Sequence, residues 1–240
     1  MLDNLLASGE KRYLETLQEF KDMDTVWDYE AKGSRNAYFN SLDAVCLYGM
    51  IAKYQPRQYV EIGSGYSTMV AADAKAERCF GMRIHSIDPE PRIKVDGMCD
   101  FTFRRRLAHA DVEWIVSGLE QGDILFVDGS HIADSTDSDV SILFTEIIPD
   151  LRPGVLVHLH DIWLPEDYPS EWAERKYNEQ YILATYLTAC FNAEIILPNG
   201  YISTISKRYK PYGEGKSFWF THRNTHHSQP PEDMHDFNPT

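Results

Sequence analysis

Glu61-Ile62-Gly63-Ser64-Gly65-Tyr66-Ser67-Thr68 is the stretch on which the rest of the chain turns. It ends an apolar run, Tyr59-Val60-Glu61-Ile62, and leads into small residues at Val70, Ala71, Ala72 and Ala74. The order strand, glycine turn, helix is what gives the two glycines meaning. Lacking Cβ atoms, Gly63 and Gly65 let the backbone turn sharply and approach a ligand closely. The third glycine of a dinucleotide fingerprint is replaced by Thr68, and no Gly-Lys-Ser/Thr follows to hold a triphosphate.

Downstream the same texture repeats. Short apolar runs at Ile84–Ile87, Phe101–Phe103, Ile124–Val127, Val155–Leu159, Ala193–Leu197 and Ser217–Thr221 alternate with helical or polar stretches. Buried parallel strands read this way, and the alternation implies βαβ crossovers. The clearest helix runs from Asp139 to Ile148, with Val140, Leu143, Phe144 and Ile147 on one face and Pro149 at its end. A further helix is expected from Glu171 to about Cys190, turning Tyr181, Ile182, Ala184 or Thr185 and Leu187 inward.

Upstream, Leu5, Leu6, Tyr13, Leu14, Leu17 and Phe20 suggest one amphipathic helix. Leu42 to Ile51 suggests a second, with Asn40 or Ser41 as its N-cap, and Lys32 to Asn36 reads as the loop between them. The expected architecture is therefore α/β: a Rossmann-like, doubly wound, mostly parallel seven-stranded sheet with an N-terminal helical extension. The boundaries fall at 1–55 for the extension, 56–223 for the sheet domain and 224–240 for a polar tail. Tyr38, Phe39 and Asn40 could form a lid, although plain helix packing is the preferred reading.

Composition limits the partners. A formal charge of −14 over 240 residues repels a polyanion at long range, which disfavours nucleic acid. Arg104, Arg105 and Arg106 are adjacent, and neighbouring side chains of an extended segment alternate in direction, so they build no single groove. The four cysteines are scattered, the N-terminus lacks a leader pattern, and no apolar run approaches the roughly 20 residues of a membrane helix. The expectation is a cytoplasmic protein acting on a small molecule, with a homodimer plausible.

Acid collects at the strand ends. Asp88 closes the second strand about 20 residues past the glycines, where a carboxylate can grip a ribose diol. Asp111, after the third strand, could accept a hydrogen bond from an adenine amino group. With Glu61 and Asp128 these would surround the ligand, an arrangement that suits a cation without phosphate and opposes a pyrophosphate. In this pattern, from Tyr59 to about Leu197, the chain resembles the class I S-adenosylmethionine-dependent methyltransferases. Within them it is similar to the branch of the macrocin and cephalosporin-cluster O-methyltransferases. The motif from Glu61 to Thr68, together with Asp88, Asp128-Gly129-Ser130-His131 and His160-Asp161, carries the resemblance. It implies S-adenosylmethionine as cofactor, with Glu61, Gly63, Ser64, Gly65, Ser67, Thr68, Asp88, Asp111 and Asp128 as its candidate contacts.

The fourth and fifth strands end in Asp128-Gly129-Ser130-His131 and His158-Leu159-His160-Asp161. Neighbouring strands would bring Asp128, His131, His160 and Asp161 to one point. In one reading Asp128, His160 and Asp161 ligate a divalent metal such as Mg, Mn or Fe, which lowers the pKa of a substrate hydroxyl while His131 takes its proton. The resemblance implies an acidic pair after the fifth strand, and His160 departs from it. In the other reading the cluster is metal-free and His131 is the base alone. His158, alternating inside its strand, reads as structural. Asn178, and Tyr181 or Glu179, could face the substrate, but a capped surface helix is the preferred reading for Asn178 and Glu179.

The function expected from all of this is transfer of a methyl group to a hydroxyl or amine of a small molecule, with Asp128, His131 and Asp161 as catalytic candidates. A metal-dependent oxygenase or hydrolase built on the same cluster is the alternative, and a non-catalytic cofactor-binding protein a third.

Overall fold

The apolar runs form strands β1 (Gln58–Ile62), β2 (Arg83–Ile87), β3 (Phe101–Phe103), β4 (Ile124–Val127), β5 (Leu156–Leu159), β6 (Ala193–Pro198) and β7 (Phe218–His222). They join one sheet in the order β3-β2-β1-β4-β5-β7-β6. The computed structural model that shows this describes residues 1–23, 39, 41–190, 192–206 and 215–222. β1 to β5 run parallel, in registers such as Glu61↔Ser86, Val60↔Leu125 and Val127↔Leu159. β7 is antiparallel to both β5 and β6. Because the chain leaves β1 towards β2 and β3 and later returns to β4 on its other side, the strand order reverses between β1 and β4. The carboxyl ends of the strands open a crevice at that point.

The helices are α1 (Leu2–Ala7), α2 (Glu10–Asp22), α3 (Ser41–Tyr54), α4 (Tyr66–Arg78), α5 (His109–Gly118), α6 (Asp139–Ile142), α7 (Glu179–Ala189) and α8 (Asn199–Ile205). β4 and β5 are buried along their whole length, which is why they read as unbroken apolar runs. α4 follows the glycine turn directly and lays Val70, Ala71 and Ala74 on the core, packing against α3. Small side chains there allow close approach of helix and sheet. Leu6, Tyr13, Leu17 and Phe20 belong to the same buried cluster as Ile62, Phe126 and Trp219, so the first helices are built into the one core. Each such side chain contributes about 1.5–3 kcal/mol of burial.

Local readings change in several places. The first amphipathic segment is two helices, broken at Ser8-Gly9, and Leu14 is 37% exposed rather than inward. The expected Asp139–Ile148 helix begins as α6, widens to a π turn over Leu143–Ile147 and tightens to a 3₁₀ turn at Ile148–Asp150. The helix expected from Glu171 splits into a 3₁₀ stretch, Ser170–Arg175, and α7. Lys176 sits between them with φ 58°, a left-handed backbone that ends the first piece. Tyr181 is consequently 49% exposed, and Leu183 takes the inward position. The loop at 32–36, Tyr38 and Asn40 of the lid, and the tail 224–240 lie outside the described residues. Phe39 is described, and its ring packs against Phe126 and His160. No helix among the described residues is long and apolar enough to cross a membrane.

Candidate functional site

Two groups of polar side chains occupy the crevice, one on each side of the switch between β1 and β4. On the β1–β3 side the loop after β1 is held from within. Gly63 has φ +82°, and a Cβ there would stand 1.9 Å from the Asp128 carbonyl oxygen, so only glycine fits. The amide of Gly63 donates to the Ile87 carbonyl (3.0 Å), that of Ser64 to Asp88 Oδ2 (2.6 Å) and that of Gly65 to Thr68 Oγ1 (3.0 Å). Beneath the loop Glu61 accepts from Tyr59 Oη at 3.0 Å, Ser67 Oγ at 2.6 Å and Thr68 Oγ1 at 2.5 Å. Burial raises the Glu61 pKa to about 7 against these donors. A Cβ built on Gly65 meets no atom within 4 Å, which leaves open space above the loop.

Two of the expected cofactor contacts are engaged with partners inside the protein. Glu61 is wholly buried under the loop and braces it through Ser67 and Thr68. Asp111 is also wholly buried. It accepts two bonds from Arg105, both at 2.5 Å, one from Trp114 Nε1 at 3.0 Å and one from the Ala108 amide at 3.0 Å. Burial works to raise its pKa, but Arg105, Trp114 and Ala108 together hold it below the usual value. Four donors fill its acceptor capacity, and it caps α5. Asp88 is half-buried and ties the loop to β2 by accepting from Ser64 and from the Glu90 amide.

On the β4–β5 side the side chains face one another. Asp139 accepts from the amide and hydroxyl of Ser130, fixing the turn after β4. His131 then has φ 61° and Asp161, just past β5, has φ 53°. Left-handed backbone at two non-glycine residues is held only where the surroundings impose it, and it gathers at functional sites. The result is a convergence: His131 Nε2 is 3.2 Å from Asp128 Oδ1 and 3.8 Å from Asp161 Oδ2. Its Nδ1 is 2.9 Å from Glu179 Oε2. Burial alone would lower the His131 pKa, but Asp128 and Glu179 outweigh it and hold the ring well above the ordinary histidine value.

His160 takes a different place from the one expected. Its Nδ1 lies 3.6 Å from both Asp128 Oδ1 and Asp161 Oδ1, while its Nε2 turns to Asp43 Oδ2 of α3 at 3.4 Å. Asp43 is buried and also accepts from the amides of Lys216 and Ser217, each at 2.9 Å, and from Asn199 Nδ2 at 2.8 Å. Against burial, the three carboxylates raise the His160 pKa to about 10, so the ring is a cation inside the cluster. Among the described residues, Asp128, His131 and Asp161 have ligand atoms that lie within 4.8 Å of one another. The third member is thus His131 and not His160. His158 is buried inside the sheet, stacked on Phe126 and bonded to Ser217 Oγ at 2.7 Å.

Two contributors, Asp43 and Lys216, have no counterpart in the sequence reading, and Asn178 and Glu179, for which a capped surface helix is the preferred reading, reach the turn after β4. Glu179 is 1% exposed and bonded to His131, and Asn178 holds Ala133 in both directions while its amide donates to the His131 carbonyl. The first turn of α7 is therefore a clamp on the turn after β4. An acid at a helix start reads as a cap, so its sequence signal is indistinguishable from that of a surface residue. Asp43 and Lys216 carried no signal at all. A cavity of about 630 Å³ lies at the opposite, amino ends of β4 and β5, lined among others by Arg12, Glu19, Lys53 and Glu194. Its charges pair among themselves, Arg12 with Glu194 and Lys53 with Glu19, whereas the convergent reactive groups are at the carboxyl ends.

Residues 60–162 match a family model described as a methyltransferase domain. An uncharacterized protein of Archaeoglobus fulgidus is 30% identical over 93 residues, which spans 38% of each chain. In three dimensions the chain is similar to an O-methyltransferase of Bacillus cereus in complex with SAH. The identity is 14% and the TM-score 0.49, covering 93% of this chain and 100% of that one. It is also similar to TomG of Streptomyces achromogenes, an O-methyltransferase in tomaymycin synthesis, in complex with SAM. There the identity is 16% and the TM-score 0.48, covering 89% of this chain and 90% of that one.

Proposed function

We propose that this chain, which carries a methyltransferase domain over residues 60–162, transfers a methyl group from S-adenosylmethionine to a hydroxyl of a small molecule. The observation that carries the choice of cofactor is the loop after β1. Its three amides at Gly63, Ser64 and Gly65 are all spent inward, and the Asp88 carboxylate stands beside them. Phosphate binding at such a turn needs outward-facing amides and no competing anion. A cationic, phosphate-free cofactor fits the loop, and the open space above Gly65 is the cradle it would fill.

Bound there, the cofactor supplies an activated methyl group on a sulfonium. The chain's own residues supply alignment and, once an ion on Asp128 has relieved the His131 ring of one of its two carboxylates and so lowered its hold on its own proton, a destination for the acceptor's proton. His131 Nε2 opens between Asp128 and Asp161, and Glu179 on Nδ1 fixes which nitrogen faces the acceptor. A carboxylate behind a histidine orients the ring and raises its basicity.

The same cluster fits a divalent cation. Asp161 Oδ1 is buried and has no hydrogen-bond donor, an unmet need of about 1–3 kcal/mol or more. Asp128 and Asp161 present the oxygen donors that a hard ion prefers, leaving His131 for the proton. Such an ion would polarise the acceptor hydroxyl. The test is the binding of S-adenosylhomocysteine to wild type and to Gly65→Val. Because the added side chain meets open space, the variant should keep its melting temperature while losing affinity by about a hundredfold or more. Retained affinity would place the cofactor elsewhere.

A further inference from the structure

Lys216 stands just before β7 with both of its backbone groups committed. Its amide donates to Asp43, and its carbonyl accepts from the Ile162 amide at 2.9 Å. From this fixed base the side chain, 17% exposed, runs into the β4–β5 cluster and brings Nζ to 3.5 Å from Asp161 Oδ1. That oxygen is the buried one without a hydrogen-bond donor, and His160 Nδ1 approaches it from the other side at 3.6 Å. The same ammonium also lies 4.8 Å from the Trp172 ring centre and 5.3 Å from that of Trp163. The ammonium therefore meets a carboxylate and two aromatic faces from one position, so it can give up the first and keep the second.

We propose that Lys216 is the resident cation of the acceptor site: it occupies Asp161 while no divalent ion is bound and withdraws onto Trp163 and Trp172 when one arrives. This rests on the reading of Asp128 and Asp161 as the donors for such an ion. A flexible ammonium on a four-carbon stem is suited to the task, since it neutralises a buried carboxylate and gives way without breaking a bidentate bond. It adds a second positive charge to that of His160 beside Asp161, and it opposes the incoming ion by charge repulsion at short range. Lys216 is accordingly a positioning residue that sets how weakly and reversibly the site takes a metal.

The experiment is a Mn²⁺ titration, followed by electron paramagnetic resonance, of the full chain with S-adenosylhomocysteine present. Wild type, Lys216→Met, Lys216→Arg and Asp161→Asn are compared. Lys216→Met should bind Mn²⁺ at least about tenfold more tightly than wild type, because a competing charge has gone. Lys216→Arg should stay within about threefold of wild type, since the charge remains, and Asp161→Asn should lose the ion. A lysine with a merely structural role would give the opposite sign, weaker binding in Lys216→Met. Weaker or equal binding in that variant, or no Mn²⁺ binding by any protein, overturns the proposal. Lys216→Gln replaces Lys216→Met if the latter does not fold. Binding of S-adenosylhomocysteine, measured on the same samples without Mn²⁺, reports the cofactor reading separately.

Discussion

The β1–β3 side and the β4–β7 side of the crevice both present carboxylates at strand ends, and they use them in opposite ways. On the first side Glu61 and Asp111 are closed systems: three hydroxyls donate to one and four N–H groups to the other, all from nearby in the chain. On the second, Asp128, Asp161 and Glu179 face two imidazoles and an ammonium, and Asp161 Oδ1 and Glu179 Oε1 remain without donors. Saturated acid stiffens a loop. Unsaturated acid, held by left-handed backbone at His131 and Asp161, is what remains able to bind an ion or redirect a proton. Residue type alone does not separate the two cases; the count of donors does.

The largest effect that could break this contrast is at Asp161. Asp161→Ala should lower turnover by about a thousandfold while leaving affinity for S-adenosylhomocysteine within about threefold of wild type. Steady-state rates and calorimetry on the same preparation check this. Loss of cofactor affinity, or an unfolded protein, would mean that Asp161 belongs with the structural acids.

Next comes the pH dependence of Glu61, whose folded pKa of about 7 lies above its ordinary 4.5. A raised pKa means that the folded chain holds the proton more tightly. The contribution to stability is then fully present below about 4.5 and is lost as the pH rises through 7, a loss of about 3 kcal/mol at most. Thermal unfolding of wild type and Glu61→Gln between pH 4.5 and 8 should therefore show wild type losing ground to the variant with rising pH. Parallel curves would contradict the assignment of Glu61 as a buried acid beneath the loop.

The smallest effect concerns the clamp. Glu179→Gln keeps the size of the side chain and removes its charge, so kcat should fall by about 10–100-fold with little change in melting temperature. A variant with unchanged kcat would make α7 mere packing around His131.

Much of the architecture is legible from residue order. β4 and β5 are short apolar runs because both of their faces are covered, and Gly63 is readable because the approach to Asp128 leaves no room for a Cβ. Asp128, His131 and Asp161 are readable because parallel neighbours must bring their carboxyl ends together. What stays hidden depends on contacts distant in the chain. Glu179 meets His131 across 48 residues and Lys216 meets Asp161 across 55, and no local pattern marks either pair. The pairing of Asp111 is hidden for a nearer cause. Arg105 stands six residues before it, but only the fold around β3 shows that the two form a double hydrogen bond. Tyr181 and Leu14 follow the helical period in sequence and face outward because the helices break at Lys176 and Gly9.

The most direct test of the division between the two sides is calorimetric titration of the purified chain with S-adenosylhomocysteine, with and without a chelator. Micromolar binding unchanged by chelation is expected, because the proposed cradle at Gly65 and Asp88 would hold the cofactor whether or not an ion occupies the Asp128–His131–Asp161 cluster. Absence of binding in both conditions, or binding that disappears with the chelator, would contradict it.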